Sequence, residues 1–352
     1  LAAENPGLIA ASANRFSEQH LVYGMALLWL IAEANDLQIS NPSDLTADFS
    51  KAQRKLITTR KIQVRTSDRT IQLPAPPRYL RQRFDYRSSQ PLPKRMIIHP
   101  HALVSESANL SSDVEIGPFA IIEDDVTIGP GCRIASQAKI CSGVVMGENN
   151  IVDHGTVIGG LPQDLGFDPA NKSGVLIGNG NTFREYVTIN RSTQADGNTI
   201  VGDRNFLMAV SHLAHDVVIG NDNVLANNVM VAGHCLLGSK IFLGGGTAIH
   251  QFIRIGDYAM TQGNSGMTRD IPPYCLVHKI NQLSGLNSVG LKRGGFTPPE
   301  RKEIKTVFTM LLNSKLSRAE ALAEVDRYTW TPATAKLIEA VRTPSSKGIL
   351  TR

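Results

Sequence analysis

Cysteine is scarce and scattered. The four residues, Cys132, Cys141, Cys235 and Cys275, form no C-x-x-C pair. That spacing excludes the common zinc and dithiol redox motifs, and unpaired core thiols fit a reducing, cytoplasmic compartment. Long apolar runs are missing too. The longest, Leu21 to Ala32, falls short of the about 20 residues that a bilayer helix needs. Only Arg15 precedes it as a positive charge, which argues against a secretory leader. The chain starts at Leu1 rather than Met, as a fragment or a processed product would. Excess charge is local: residues 1–95 hold 14 Lys/Arg against 8 Asp/Glu, while the whole chain carries only +5. The main body is therefore near neutral and offers no basic face for nucleic acid.

What is present is a period of six. Ile98, Val104, Leu110, Ile116, Ile122, Ile128, Ile134, Ile140, Met146, Val152 and Ile158 are consecutive aliphatic positions spaced by six. The period pauses, resumes at Ile177, Phe183 and Ile189, pauses at Asn190–Thr199, and then runs unbroken from Val201 to Ile255. Neither a helical nor an alternating period survives such a run. Hexapeptide repeats build a parallel β-helix, a mainly β fold in which three hexads close one triangular coil. The two interruptions must leave the prism as loops, and solenoids carry function on such excursions.

Flanking segments differ. In the N-terminal extension, residues 1–95, the pattern predicts helices over 15–36 and near 49–57 and a hairpin around Ser67-Asp68. A Pro/Arg-rich linker over 73–93 follows. The β-helix is expected over 96–286, loosening after Ile255. A helical domain over 287–352 should start helices at Thr297, Ser317 and Thr331, the first two with capping boxes.

Candidate chemistry lies between Asn205 and Phe252, where His212, His215, His234 and His250 ride on the repeat. With Leu213 pointing inward, alternation places His212 and Ala214 outward and His215 at a surface corner. Asp216 beside His215 would orient the imidazole for general-base work. A metal shared by His212, His215 and either His234 or His250 is the competing reading. The i, i+3 spacing suits a strand poorly and no cysteine or carboxylate quartet completes it, so neither metal nor cofactor is expected. Gly233 lets a backbone N–H approach a ligand closely, as an oxyanion hole requires. Lys292-Arg293, after a glycine-rich turn, could hold phosphate.

These residues carry a resemblance. QDL at 163–165, SHLAHD at 211–216, LANN at 225–228, AGH at 232–234, AIHQF at 248–252, DIPPY at 270–274, GLKR at 290–293 and the terminal SSKGILTR are similar to the acyl-ACP:UDP-N-acetylglucosamine O-acyltransferases, which begin lipid A synthesis. The resemblance covers about residues 96–352. It implies a left-handed β-helix and a homotrimer with sites between subunits. The implied reaction carries a 3-hydroxyacyl chain from acyl carrier protein to the 3-hydroxyl of UDP-N-acetylglucosamine, without a cofactor. It also implies roles: His215 as base, Asp216 as its support, the Gly233 N–H on the oxyanion. Asp164, His212, His234, His250, Gln251, Asn287 and Arg293 would contact substrate.

Three positions depart from the family's pattern. Gly166 stands where a substrate-binding lysine is usual, Val289 replaces a glutamate, and an arginine pair is reduced to Arg293-Gly294. Lys172 and Arg184 are the cations nearest in sequence to stand in for the lysine. Two other readings compete. A related sugar N-acyltransferase typically carries AHN and AGS where this chain has AHD and AGH. The other is a trimeric scaffold without activity.

Overall fold

The computed structural model describes residues 62–65, 70–73 and 96–351. The chain divides into two units, residues 1–90 and 91–352. In the first, Ile62–Arg65 pairs antiparallel with Thr70–Leu73, Ile62 opposite Leu73, which is the expected hairpin pairing. The helices expected at 15–36 and 49–57, and the linker beyond Leu73, lie outside the described residues.

The second unit is a prism. Short strands stack into three sheets of nine, eight and eleven strands, all parallel except Gln282–Leu286, which closes the last sheet antiparallel to Cys275–His278. Each strand pairs with those one coil away, so that His212–Leu213 lies between Thr188–Asn190 and Met230–Val231. The aliphatic at the end of each strand points inward, and from Ile116 to Ile255 these side chains are buried. Burying each stabilises by roughly 1.5–3 kcal/mol, and no coil can do it alone because its lid is the next coil.

A second inward position, two residues before each aliphatic, takes residues from alanine, asparagine and threonine to valine and isoleucine. Four of these are buried asparagines in a ladder. Asn150 Oδ1 accepts from the amides of Asn181, whose Oδ1 accepts from Asn205, whose Oδ1 accepts from Asn223. The ladder ends where Ile241 N donates to Asn223 Oδ1 at 2.8 Å. Three residues after most of the inward aliphatics the chain turns a corner in the left-handed region, at φ 60° for Asp216, 60° for His234 and 65° for Phe252. Those corners share one edge of the prism.

The prism runs further than the expected loosening after Ile255. Thr261 and Met267 fill the next inward positions, and Cys275–His278 adds in parallel beside Met260–Thr261. A polar residue at Thr261 hides this continuation, because the Thr247 and Thr261 hydroxyls satisfy each other at 3.0 Å inside the core.

Four helices close the unit: α1 Ser288–Arg293, α2 Pro298–Leu312, α3 Arg318–Val325 and α4 Pro332–Arg342. Both capping boxes form, Thr297 with Glu300 and Ser317 with Glu320. They pack on the prism through Tyr274, whose hydroxyl donates to Ala333 O at 2.8 Å, and through Phe296, edge-on to Tyr258 and Tyr274. The sequence reading missed α1. Lys292 and Arg293 stand in its last turn rather than after a glycine turn, where cations complement the negative helix end.

Candidate active site

One corner of the prism gathers the chemistry. The strand His212–Leu213 delivers His215 and Asp216; one coil on, Met230–Val231 delivers Gly233 and His234; one further, Ala248–Ile249 delivers Phe252. The coils are stitched by His234 N to His215 O, 3.1 Å, and Phe252 N to Gly233 O, 3.0 Å. Side chains at the same corner of successive coils therefore stack. His234 lies parallel on Phe252 with centroids 4.6 Å apart, and edge-on to His215 at 5.0 Å.

Asp216 is held from several sides. Its Oδ1 accepts from Ser192 Oγ. Its Oδ2 accepts from Thr193 Oγ1 at 2.6 Å and Thr193 N at 3.2 Å, and meets His215 Nδ1 at 2.8 Å. Burial alone would push this carboxyl up; the Ser192, Thr193 and His215 hydrogen bonds outweigh it and bring it down to about 2. An ionised Asp216 accepts a hydrogen bond from Nδ1–H, so His215 Nε2 keeps its lone pair. The pair is set to remove a proton from a hydroxyl.

Two details correct the expected picture. Ala214 is buried, 8% exposed, because the chain has begun to turn the corner one residue after Leu213. His215 is not a surface corner, since its side chain is only 11% exposed. The Asn190–Thr199 excursion folds back beside it and supplies Ser192 and Thr193. Sequence reasoning did not single out those two, although their place one coil before His215, just after inward Ile189, was readable.

The other candidates fall in different places. His212 contacts Thr188 on the neighbouring strand, its Nδ1 2.8 Å from the hydroxyl, and burial pushes its imidazole below the ordinary value. His250 and Gln251 are exposed one coil beyond Gly233, with His250 Nδ1 3.2 Å from Gln251 O. Asp164 is exposed on the first excursion, accepting from Gly166 N at 2.8 Å. Asn287 caps α1: its Oδ1 accepts from Gly290 N at 2.8 Å and its Nδ2 donates to Tyr258 O at 2.9 Å, so its side chain is engaged structurally. Arg293 lines an open groove with Ser288, Val289, Lys292 and Arg301. Of the two cations proposed for the missing lysine, Arg184 is ion-paired with Asp153 at 2.9 Å and Glu185 at 2.8 Å. Lys172 is exposed on the first excursion.

A further cation reaches this corner from far along the chain. The terminal segment docks on Asp270, with Asp270 N donating to Gly348 O and Leu350 N to Asp270 O, both 2.9 Å. This sets Lys347 Nζ 5.4 Å over the Phe252 ring.

Comparison with known proteins gives one consistent result. A family model described as UDP-N-acetylglucosamine O-acyltransferase, domain 2, matches residues 270–350. One for the bacterial transferase hexapeptide (six repeats) matches residues 107–142 and 198–233. The acyl-[acyl-carrier-protein]–UDP-N-acetylglucosamine O-acyltransferase of Thermodesulfovibrio yellowstonii is 44% identical over 232 residues, 65% of this chain and 90% of that protein. Its namesake from Neisseria gonorrhoeae is 38% identical over 257 residues, 72% of this chain and 99% of that protein. Among solved structures, a UDP-N-acetylglucosamine acyltransferase from Bacteroides fragilis aligns with a TM-score of 0.69 at 36% identity, over 72% of this chain and 99% of that one. The Arabidopsis enzyme of that name gives 0.64 at 30% identity, over 72% and 100%.

Proposed function

Because the chain belongs to the acyl-ACP–UDP-N-acetylglucosamine O-acyltransferase family, we propose that it moves an acyl chain from acyl carrier protein to the sugar 3-hydroxyl with His215 as general base. The observation that carries this reading is the 2.8 Å contact between His215 Nδ1 and an ionised Asp216. In the reaction, His215 Nε2 takes the hydroxyl proton as the oxygen attacks the thioester carbonyl. The tetrahedral oxyanion collapses, the C–S bond breaks, and the proton passes from His215 to the carrier's departing thiolate. The Gly233 backbone lies against the His215 ring, so its N–H is the donor assigned to the oxyanion. Asp164, His212, His234, His250, Gln251 and Arg293 are assigned to substrate contact. The relatives' O-acyltransferase names and the intact His215–Asp216 pair favour ester formation over the N-acyltransferase and the inactive scaffold.

Steady-state transfer to UDP-N-acetylglucosamine tests the reading. His215→Ala should lose more than about a hundredfold in turnover with its melting temperature kept within a few degrees. Absence of transfer by the wild type sinks the function, and near-normal turnover by the variant sinks the base.

Assembly as a homotrimer belongs to the same proposal. Val145, Leu176, Ile200, Val218 and Leu236 lie in register down the outer face of one sheet, an aliphatic stripe of the kind that copies of a chain cover. Light scattering should give about three times 38.2 kDa; a fully active monomer contradicts it. No helix among the described residues is long and apolar enough to cross a membrane. Four free thiols fit the cytoplasm, and cell fractionation that places the protein elsewhere overturns that assignment.

A further inference from the structure

The corner that orients the base also has the makings of a metal site. Among the described residues, His215, Asp216 and His234 are the one group of three such side chains whose ligand atoms converge, all within 4.8 Å of one another. This is a different set from the sequence-based grouping around His212 and His250. It forms because His234 shares the corner of Asp216 one coil on.

The distances decide whether an ion fits. Donors held about 2.0–2.2 Å from a tetrahedral ion stand about 3.3 Å from each other. Here His215 Nδ1 is 2.8 Å and His234 Nε2 is 3.7 Å from Asp216 Oδ2. Those two pairs each need about half an ångström of adjustment to reach that spacing, and the His215 and His234 nitrogens, within 4.8 Å of each other, must close on the same ion by χ rotation. The donors are also held in place by their neighbours, as metal ligands usually are. Ser192 and Thr193 fix the carboxylate, and Phe252 stacks on the His234 ring. Two imidazoles and one carboxylate suit a borderline divalent ion, with water in the fourth position.

We propose that His215, Asp216 and His234 bind Zn2+, and that the bound ion switches the enzyme off. The second half rests on His215 being the base. Catalysis requires the proton on Nδ1, donated to Asp216, and a lone pair on Nε2. An ion on Nδ1 takes that nitrogen's lone pair, and the neutral ring's single proton must then sit on Nε2. His215 would present an N–H to the sugar hydroxyl instead of an acceptor. No proton is gained or lost by the ring; it has only changed tautomer. Metal occupancy and base catalysis are therefore exclusive at this residue.

Equilibrium dialysis of the chelator-stripped full chain against Zn2+ alone tests the site without any substrate, so its outcome is independent of the acyltransferase reading. One ion per chain is expected. His234→Ala, and separately the near-isosteric Asp216→Asn, should weaken binding by at least about tenfold. His101→Ala, which removes the exposed His99–His101 pair, should leave binding unchanged. Melting curves establish that each variant is folded, and Asp216→Asn carries the test should His234→Ala not fold. Absence of saturable binding at one ion per chain, or binding that a folded Asp216→Asn variant retains in full, overturns the site. In the transfer assay, Zn2+ at the occupancy measured by dialysis should abolish turnover, with recovery on adding chelator. Turnover that persists at full occupancy overturns the switch while leaving the site standing.

Discussion

Gly233→Ala should disable the enzyme by a clash that can be measured in advance. A Cβ built at Gly233 would lie 2.5 Å from His215 Cε1 and 2.7 Å from Nε2, against about 3.5–4.0 Å for ordinary contact. The ring must retreat by about 1 Å. It cannot do so freely, since Nδ1 is tied to Asp216 at 2.8 Å and the His234 ring stands edge-on with centroids 5.0 Å apart. A misplacement of about 1 Å at a reacting group costs about a hundredfold, or about 2.7 kcal/mol in the barrier. The atoms met are a side chain and not backbone, so the coil should still close and the melting temperature should hold. Alanine keeps the Gly233 N–H, so the loss would report the base and not the oxyanion donor. Steady-state kcat/KM with acyl carrier protein and UDP-N-acetylglucosamine gives the first number. The same substitution in a His215→Ala background gives the second: with no ring to displace, Gly233→Ala should cost nothing more, and the two changes should be strongly non-additive. Activity within about threefold of wild type, or a further hundredfold loss in the double variant, refutes the reasoning.

Asn205→Ala should lower stability by about 3 kcal/mol or more, because it removes the acceptor of two buried Asn223 donors at about 1–3 kcal/mol each. Denaturant unfolding checks this, and a loss under about 1 kcal/mol would mean that the ladder is replaceable. Acid stability should depend on Asp216. Its carboxyl sits at about 2 in the fold against an ordinary 3.8, so its contribution is complete above pH 3.8 and is lost as pH falls through 2. Asp216→Asn should flatten that limb of the stability curve, and parallel curves for the two proteins would contradict the assignment.

The spacing of six determined the prism by itself. Each coil must present one aliphatic per side to the coil above, so a run from Ile98 to Ile255 has no other regular solution. The capping boxes at Thr297 and Ser317 were equally legible, being local hydrogen bonds between residues three apart. The His215–Asp216 pair could be read because the partners are adjacent. Past Ile255 the sequence signal failed, since paired hydroxyls at Thr247 and Thr261 do inside the core what aliphatics do elsewhere. Which histidine joins His215 was also decided in three dimensions. His212 faces a strand neighbour and His250 its own loop, whereas His234 comes to the left-handed corner of Asp216, eighteen residues after it. Ser192 stands where the repeat would put it, but Thr193, where the excursion departs, and Lys347, near the chain terminus, reach the site along paths that no period describes. Repetition fixes only how one coil stacks on the next. Where an excursion or a chain terminus comes to rest depends on the hydrogen bonds it finds at the far end, such as those of Ser192 and Thr193 to Asp216 and of Gly348 and Leu350 to Asp270. Those bonds exist only once the prism is built.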